Sequence, residues 1–121
     1  MTRTRLALIA TALLAAAGTV PAQARDATVR FQRGQDSATF AGLIRGYAYD
    51  RYFFSARAGQ TLTATLDTGR ADAILFNRDG ADLATGYVLP DTGRYEIRVL
   101  QTRAAARRGY RVPYRLSVSI R

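Results

Sequence analysis

The chain has 121 residues, 48% of them hydrophobic, which is enough for one domain with a modest core. It contains no cysteine and no histidine, so disulfide bridges, thiol nucleophiles and imidazole general bases are excluded. All 18 basic residues are arginines, against 9 acidic residues, and the formal net charge is +9. This excess favours an acidic partner, such as anionic lipid, nucleic acid, polyanionic glycan or an acidic protein surface.

The first 24 residues have the pattern of a secretory signal peptide. Two arginines precede an apolar run from Leu6 to Ala17, and Ala22-Gln23-Ala24 places small residues where a signal peptidase reads them. The run is shorter than the roughly 20 apolar residues that cross a bilayer, and no cysteine follows it, so no membrane anchor is expected. We predict a signal peptide over residues 1–24, export across the inner membrane, and one domain over residues 25–121.

Hydrophobic residues in the rest of the chain recur with a period of two, which is typical of strands with one buried face. Strands are predicted at Ala27–Phe31, Arg51–Ala56, Leu62–Leu66, Ala73–Phe76, Tyr95–Val99 and Tyr114–Ile120. Turn residues separate these runs, and Asp79-Gly80 predicts a hairpin. Short strands at near-regular spacing indicate an all-β fold, an antiparallel β-sandwich of about seven to eight strands.

The segment from Arg45 to Tyr52 is rich in tyrosine, and packing alone does not explain it. In an extended segment we expect Tyr47, Tyr49 and Tyr52 to project to the same side, with Tyr52 in the core. Tyr47 follows Gly46 near a strand end. A tyrosine at such a tip offers a large amphipathic surface with few rotatable bonds, which favours a role in binding.

The segment from Thr102 to Arg108 is rich in alanine and arginine, and it is too short to be stable as an isolated helix. We interpret it as a loop with at most one helical turn. Arg103 and Arg107 are four residues apart, so one helical turn would place them on the same face, with only alanines between them. A solvated basic loop explains the composition equally well, and the residues alone leave both interpretations open.

No arrangement of residues points to catalysis or to a metal site. The segment from Asn77 to Asp82 has oxygen ligands at a calcium-loop-like spacing, but Arg78 lies inside it and turns use the same residues. No spacing singles out a pair of carboxylates for glycoside hydrolysis. We therefore predict no enzymatic activity, no metal and no cofactor, and a function in binding another macromolecule.

The sequence resembles the bacterial periplasmic inhibitors of goose-type (g-type) lysozyme, the PliG family. The matching residues are Gly46-Tyr47-Ala48-Tyr49-Asp50, Tyr52, Phe54, Ala58-Gly59-Gln60, Leu89-Pro90 through Gly93, the run from Tyr95 to Arg103, and Ala106-Arg107. The resemblance covers essentially all of residues 25–121. Its specific part is the run that ends in Gln101-Thr102-Arg103.

The resemblance implies a periplasmic protein that inhibits an enzyme and has a g-type lysozyme as its partner, with no nucleic acid expected. In the family a tyrosine and two arginines of these motifs enter the lysozyme's substrate cleft. Carried over by position, they are Tyr47, Arg103 and Arg107. The chain departs from the family in a shorter segment from Asn77 to Leu89, which leaves its target preference open. The sequence also leaves its oligomeric state open.

The middle of the chain also resembles the bacterial pre-peptidase C-terminal domain, a β-sandwich module appended to secreted proteases. The shared features are the aromatic strand, the Ala-Gly-Gln turn and the Gly-x-Tyr strand start. This second resemblance implies the same kind of fold but an alternative function, a glycan- or polyanion-binding module of the cell envelope. The segment from Gln101 to Arg107 favours the inhibitor.

Overall fold

The computed structural model describes residues 24–121, so the predicted signal peptide, apart from its last residue, lies outside the described residues. The strands are β1 (Asp26–Thr28), β2 (Ser37–Arg45), β3 (Asp50–Ala56), β4 (Thr61–Leu66), β5 (Asp72–Leu75), β6 (Tyr87–Val88), β7 (Gly93–Leu100) and β8 (Arg111–Ile120), and the helix α1 (Arg103–Arg107) joins the last two. In this part of the chain no helix is long and apolar enough to cross a membrane.

The strands form two four-stranded sheets, and their inner faces share one hydrophobic core. The first sheet has the order β1-β3-β7-β5 and the second the order β2-β8-β4-β6. Neighbouring strands are antiparallel, except that β1 runs parallel to β3. The predicted all-β sandwich is therefore confirmed, with one parallel pair that the sequence did not indicate.

The period-two pattern of the sequence translates directly into the core. In β8 every second residue from Val112 to Ile120 is buried, while Pro113, Arg115 and Ser117 between them face outward. Tyr95, Ile97 and Val99 of β7 are buried in the same alternating way. Because both sheets place their apolar residues on the inner face, burying these side chains is the main source of stability.

The strand β2, one of the longer strands, was not predicted from the sequence. The residues of β2 are exposed or half-buried, except for Ile44, which is its one fully buried side chain. It nevertheless pairs with β8 over nine residues. Gly42 lies where the Tyr114 ring crosses the strand, and a Cβ atom there would lie 2.3 Å from the Tyr114 hydroxyl oxygen. The glycine that weakened the strand signal is thus required by packing.

The prediction of a hairpin at Asp79-Gly80 was wrong. A turn is present, closed by a hydrogen bond of 3.2 Å from the Ala81 amide to the Arg78 carbonyl. However, β5 before it pairs with β7, and β6 after it pairs with β4. The chain crosses from the first sheet to the second here, so a turn signal that is local in sequence does not connect adjacent strands.

Candidate partner-binding site

The segment between β7 and β8 forms the short helix α1, which realises the single helical turn expected from the sequence. Thr102 begins the helix, and its hydroxyl accepts a hydrogen bond of 3.3 Å from the Ala105 amide. Gly109 ends it with a φ of 71°, and its amide donates to the Ala106 carbonyl at 3.0 Å. Ala106 is buried, so the helix packs against the domain through a small side chain.

Arg103 and Arg107 are the first and last residues of α1, and both are exposed. Their separation of four residues places them on neighbouring positions of one helix face. Within residues 24–121 neither guanidinium forms an ion pair with a carboxylate. Both groups are therefore available to an acceptor on another molecule.

Tyr47 lies at the tip of the turn between β2 and β3. The Ala48 amide donates to the Arg45 carbonyl at 3.0 Å and closes this turn. Gly46 has a φ of 58°, a left-handed conformation that glycine adopts without strain. The turn directs the Tyr47 side chain into solvent, where 67% of it is exposed.

Gln101 joins this turn to the chain that follows α1. Its side chain is buried, with 4% exposed, and its amide nitrogen donates to the carbonyl oxygens of Tyr110, at 2.9 Å, and Gly46, at 3.3 Å. The Gly46 amide in turn donates to the Tyr110 carbonyl at 3.0 Å. Both backbone groups of Gly46 are thus held, and the position of the Tyr47 turn is fixed relative to α1.

Gln101 belongs to a motif that matches the family, but its structural role was not predicted from the sequence. The signal was present in the strand periodicity, because Tyr95, Ile97 and Val99 are the inward residues of β7 and position 101 continues that series. A glutamine on the buried face needs hydrogen-bond partners. Carbonyl groups of the adjoining loops supply them for the amide nitrogen, while the Oε1 atom has no partner among the described residues.

A groove of about 510 Å³ brings the two ends of the proposed site together. Its lining includes Tyr47 from the turn after β2, and Gln101, Thr102 and Arg103 from the end of β7 to the start of α1. Arg107 is not among the residues that line the groove, since it is one helical turn further along α1. The structure therefore brings Tyr47 and Arg103 together in one groove and places Arg107 outside it.

Arg98 on β7 also lines this groove, and its side chain is held in place by three contacts. Its guanidinium lies 3.7 Å from the centre of the Phe76 ring and 4.9 Å from that of Tyr49, and it pairs with the Glu96 carboxylate. Stacking between two rings restricts a long side chain that is otherwise flexible. The groove therefore has an ordered wall.

The expectation that three tyrosines project to one side was wrong. Tyr47 is exposed, Tyr49 is half-buried, and Tyr52 is fully buried as expected. Tyr47 precedes the strand, in the turn. Tyr49 and Tyr52 are three residues apart, and an odd separation directs side chains to opposite faces of a strand.

The segment from Asn77 to Asp82 behaves as a turn. The Asp82 carboxylate accepts hydrogen bonds from the Thr85 and Ala84 amides at 3.3 and 3.1 Å, and bonding to Thr85 lowers the pKa of this carboxyl. Arg78 pairs with Asp91 at 3.2 Å. Among residues 24–121 no group of three or more acidic side chains is close enough together to hold a metal ion.

No protein-family model matches the sequence. A curated relative does match. The inhibitor of g-type lysozyme of Escherichia coli (strain K12) is 36% identical over 112 aligned residues, which span 83% of this chain and 84% of that protein.

Crystal structures of two periplasmic inhibitors of g-type lysozyme are also similar to this chain. PliG of Salmonella Typhimurium superposes with a TM-score of 0.74 at 35% identity, over 80% of this chain and 98% of that one. PliG of Aeromonas hydrophila gives a TM-score of 0.71 at 32% identity, over 84% and 100%. These relatives are inhibitors of an enzyme and not enzymes. With this identity over most of both chains, the protein belongs to the PliG family of periplasmic inhibitors of g-type lysozyme.

Proposed function

We propose that this protein is a periplasmic inhibitor of g-type lysozyme that occludes the enzyme's substrate cleft with Tyr47, Arg103 and Arg107. The observation that carries the proposal is the common groove of Tyr47 and Arg103, which are 56 residues apart in the sequence. Family membership supplies the target, and the groove supplies the arrangement of the side chains that meet it.

The two arginines suit a cleft that is built to hold a peptidoglycan sugar chain. Such a cleft carries a catalytic carboxylate and polar groups, and a guanidinium forms charge-assisted hydrogen bonds with both kinds of group. Since Arg103 and Arg107 have no ion pair within the described residues, binding breaks no internal one. Exclusion of water on docking then strengthens the new bonds.

Tyr47 acts as the aromatic anchor beside these charges. Its turn is held by the hydrogen bonds of Gly46, so the ring is presented on a backbone that is ordered before binding. An ordered loop with a side chain of few rotatable bonds loses little conformational entropy when it binds. Position and rigidity together make Tyr47 and Arg103 the expected centre of the interface.

A turbidity assay tests the proposal. Purified protein of residues 25–121 is added to g-type, chicken-type and invertebrate-type lysozymes that act on bacterial cell walls. We expect inhibition of the g-type enzyme only. Arg103→Ala is expected to weaken binding by about 2 kcal/mol or more, as for an interface hot spot, which is about 30-fold in the inhibition constant. Arg57→Ala is the matched control, because it removes an exposed arginine from the turn after β3, beyond the opposite end of that strand from Asp50 and the Tyr47 turn.

Two results would contradict the proposal. If every lysozyme stays fully active at a saturating dose, the protein does not inhibit the enzyme. If the protein instead binds many polyanions with an affinity that falls steeply with salt and does not depend on Tyr47, it is a polyanion-binding module of the cell envelope.

A further inference from the structure

A carboxylate is buried in the interior of this domain, close to the start of the described chain. Asp50 has no exposed surface. The Tyr114 hydroxyl from β8 donates a hydrogen bond to its Oδ2 atom, and the Tyr52 hydroxyl lies 2.6 Å from that of Tyr114. These phenols link the two sheets, but neither of them carries a positive charge that would balance the carboxylate.

Arg25 is the one cation that pairs with Asp50 in the described part of the chain, and it does so incompletely. Its Nε atom is 3.5 Å from Oδ2, and 50% of its side chain is exposed. The same guanidinium also donates to the Ala41 carbonyl at 2.6 Å and to the Tyr52 hydroxyl at 3.2 Å. Burial raises the pKa of the Asp50 carboxyl despite the Tyr114 hydrogen bond and the Arg25 charge, which both lower it.

The main-chain nitrogen of Arg25 lies at the other carboxylate oxygen. It donates to Asp50 Oδ1 at 3.2 Å. In the uncut chain this nitrogen is an amide with one hydrogen and no net charge. The predicted cleavage between Ala24 and Arg25 changes its chemistry: water adds across the peptide bond, Ala24 leaves with a carboxylate, and Arg25 keeps an amine that takes up a proton.

We propose that the α-ammonium group produced at Arg25 is the counter-ion of the buried Asp50, so that removal of the signal peptide completes the interior of the fold. The proposal rests on the predicted cleavage position and is independent of what the protein inhibits. The ammonium has three hydrogen-bond donors and a full positive charge, whereas the amide has one donor and no net charge. A hydrogen bond to a charged group is stronger than one between neutral groups.

The backbone around Arg25 already holds this nitrogen in place. The Arg51 amide donates to the Arg25 carbonyl at 2.8 Å, and the parallel pairing of β1 with β3 continues from there. Since β1 is an edge strand of three residues, few other contacts secure it. Processing would therefore tie down the edge of the first sheet, and the precursor would be less stable than the exported protein.

The composition makes a direct experiment possible. The chain has no lysine, so the α-amine is the only primary amine of a protein that starts at Arg25. Three proteins are compared by urea unfolding at pH 6: residues 25–121 with a free amine, the same protein acetylated at that amine, and residues 22–121. We expect the unfolding equilibrium constant of the first to be smaller by about tenfold or more, as for a hydrogen bond to a charged group.

Substitutions at two aspartates show whether the effect belongs to this pair. Asp50→Asn removes the buried charge, and the free and acetylated proteins should then unfold at the same urea concentration. Asp36→Asn removes an exposed carboxylate that pairs with Arg121, and the difference should persist. In the parent protein the difference should fade above about pH 8, where an α-amino group ordinarily loses its proton. The Arg25 guanidinium, Tyr52 and Tyr114 are the other titratable groups that surround the pair.

Several results would overturn the proposal. Equal stability of the three proteins that retain Asp50 would do so. A difference in stability between the free and acetylated proteins that persists after Asp50→Asn would also do so. Mass spectrometry of the exported protein should show Arg25 as the first residue, and any other first residue contradicts the proposal. If Asp50→Asn does not fold, chemical labelling of the α-amine in the parent protein tests the proposal instead. Slower labelling in the folded state than in urea supports the ion pair between the α-ammonium group and Asp50, and equal rates exclude it. Lysozyme inhibition by the folded proteins should not change.

Discussion

Tyr47 and Tyr52 are five positions apart in the sequence, and they belong to regions with opposite roles. Tyr52 has no exposed surface, and its hydroxyl contacts that of Tyr114 and the Arg25 guanidinium. Tyr47 has 67% of its surface exposed, beyond the turn at Gly46. Asp50, Tyr52, Tyr114 and Arg25 form the first region, the polar core. The second, with Tyr47, Arg103 and Arg107, is called the exposed edge.

The difference between the two regions lies in where their polar groups find partners. In the polar core the hydroxyl and carboxyl groups bond to one another and connect β3, β8 and Arg25, the residue before β1. At the exposed edge the arginines have no acidic partner within residues 24–121. Groups that are satisfied internally stabilise the fold, while unpaired cations on ordered backbone are available to another molecule. Stability and inhibition should therefore respond to different substitutions.

The largest expected effect is on the polar core. Tyr114→Phe removes the hydroxyl that donates to the buried Asp50 carboxylate. A buried charged group that loses a hydrogen bond costs about 3 kcal/mol, and urea unfolding should show a loss of this size. Tyr110→Phe is the control, because its hydroxyl is exposed and lies 3.4 Å from the Arg108 guanidinium.

Inhibition should distinguish the two regions in the same proteins. Per folded molecule, Tyr114→Phe should inhibit lysozyme as well as the parent protein does. If Tyr114→Phe is as stable as the parent protein, Asp50 does not depend on this hydroxyl. If it is stable but fails to inhibit, the polar core and the exposed edge are not separable.

Gln101 is the place where the separation should fail, since its side chain belongs to neither region but holds the Tyr47 turn. Gln101→Leu leaves the Gly46 and Tyr110 carbonyls without their side-chain donor. We expect a loss of about 1–2 kcal/mol in the free energy of unfolding together with several-fold weaker inhibition. Hydrogen exchange at the Gly46 amide should accelerate, because the turn is no longer held.

A second glutamine provides the matched control. Gln60 accepts a hydrogen bond of 2.7 Å from the Arg57 amide in the turn between β3 and β4. Gln60→Leu should also lower stability, yet leave inhibition and exchange at Gly46 unchanged. Equal inhibition by both glutamine variants would show that Gln101 only stabilises the fold and does not position Tyr47.

The sequence predicted the parts of the fold whose signals are local. The alternation in β4, β7 and β8 follows from burial on one face, and the Ala- and Arg-rich composition of α1 agrees with its one turn. The sequence did not predict β2, because Gly42 weakens its strand pattern and the reason for this glycine, the Tyr114 ring that crosses it, lies in a distant segment. It also did not predict that β5 pairs with β7, because strand order depends on contacts between distant segments.

The candidate site divides in the same way. Tyr47, Arg103 and Arg107 were identified from motifs, and their role as contact residues stays a prediction. The groove between the first two could not be derived from the sequence, since it depends on Gln101 and on how the loops at one end of the sandwich meet. The buried pair of Asp50 and Tyr114 was also beyond local patterns, because the two residues belong to different sheets.

The smallest expected effect compares two exposed arginines that differ in their partners. Arg121 pairs with Asp36 at 3.1 Å, and both side chains are mostly exposed, while Arg107 has no such pair in the described chain. Exposed ion pairs contribute about 0–1 kcal/mol, so Arg121→Gln and Arg107→Gln should each change the free energy of unfolding by less than about 0.5 kcal/mol. Only Arg107→Gln should weaken inhibition, and by less than Arg103→Ala, because Arg107 lies outside the groove. If both substitutions weaken inhibition equally, overall positive charge and not the exposed edge drives binding, and adding salt should then abolish the difference from the parent protein.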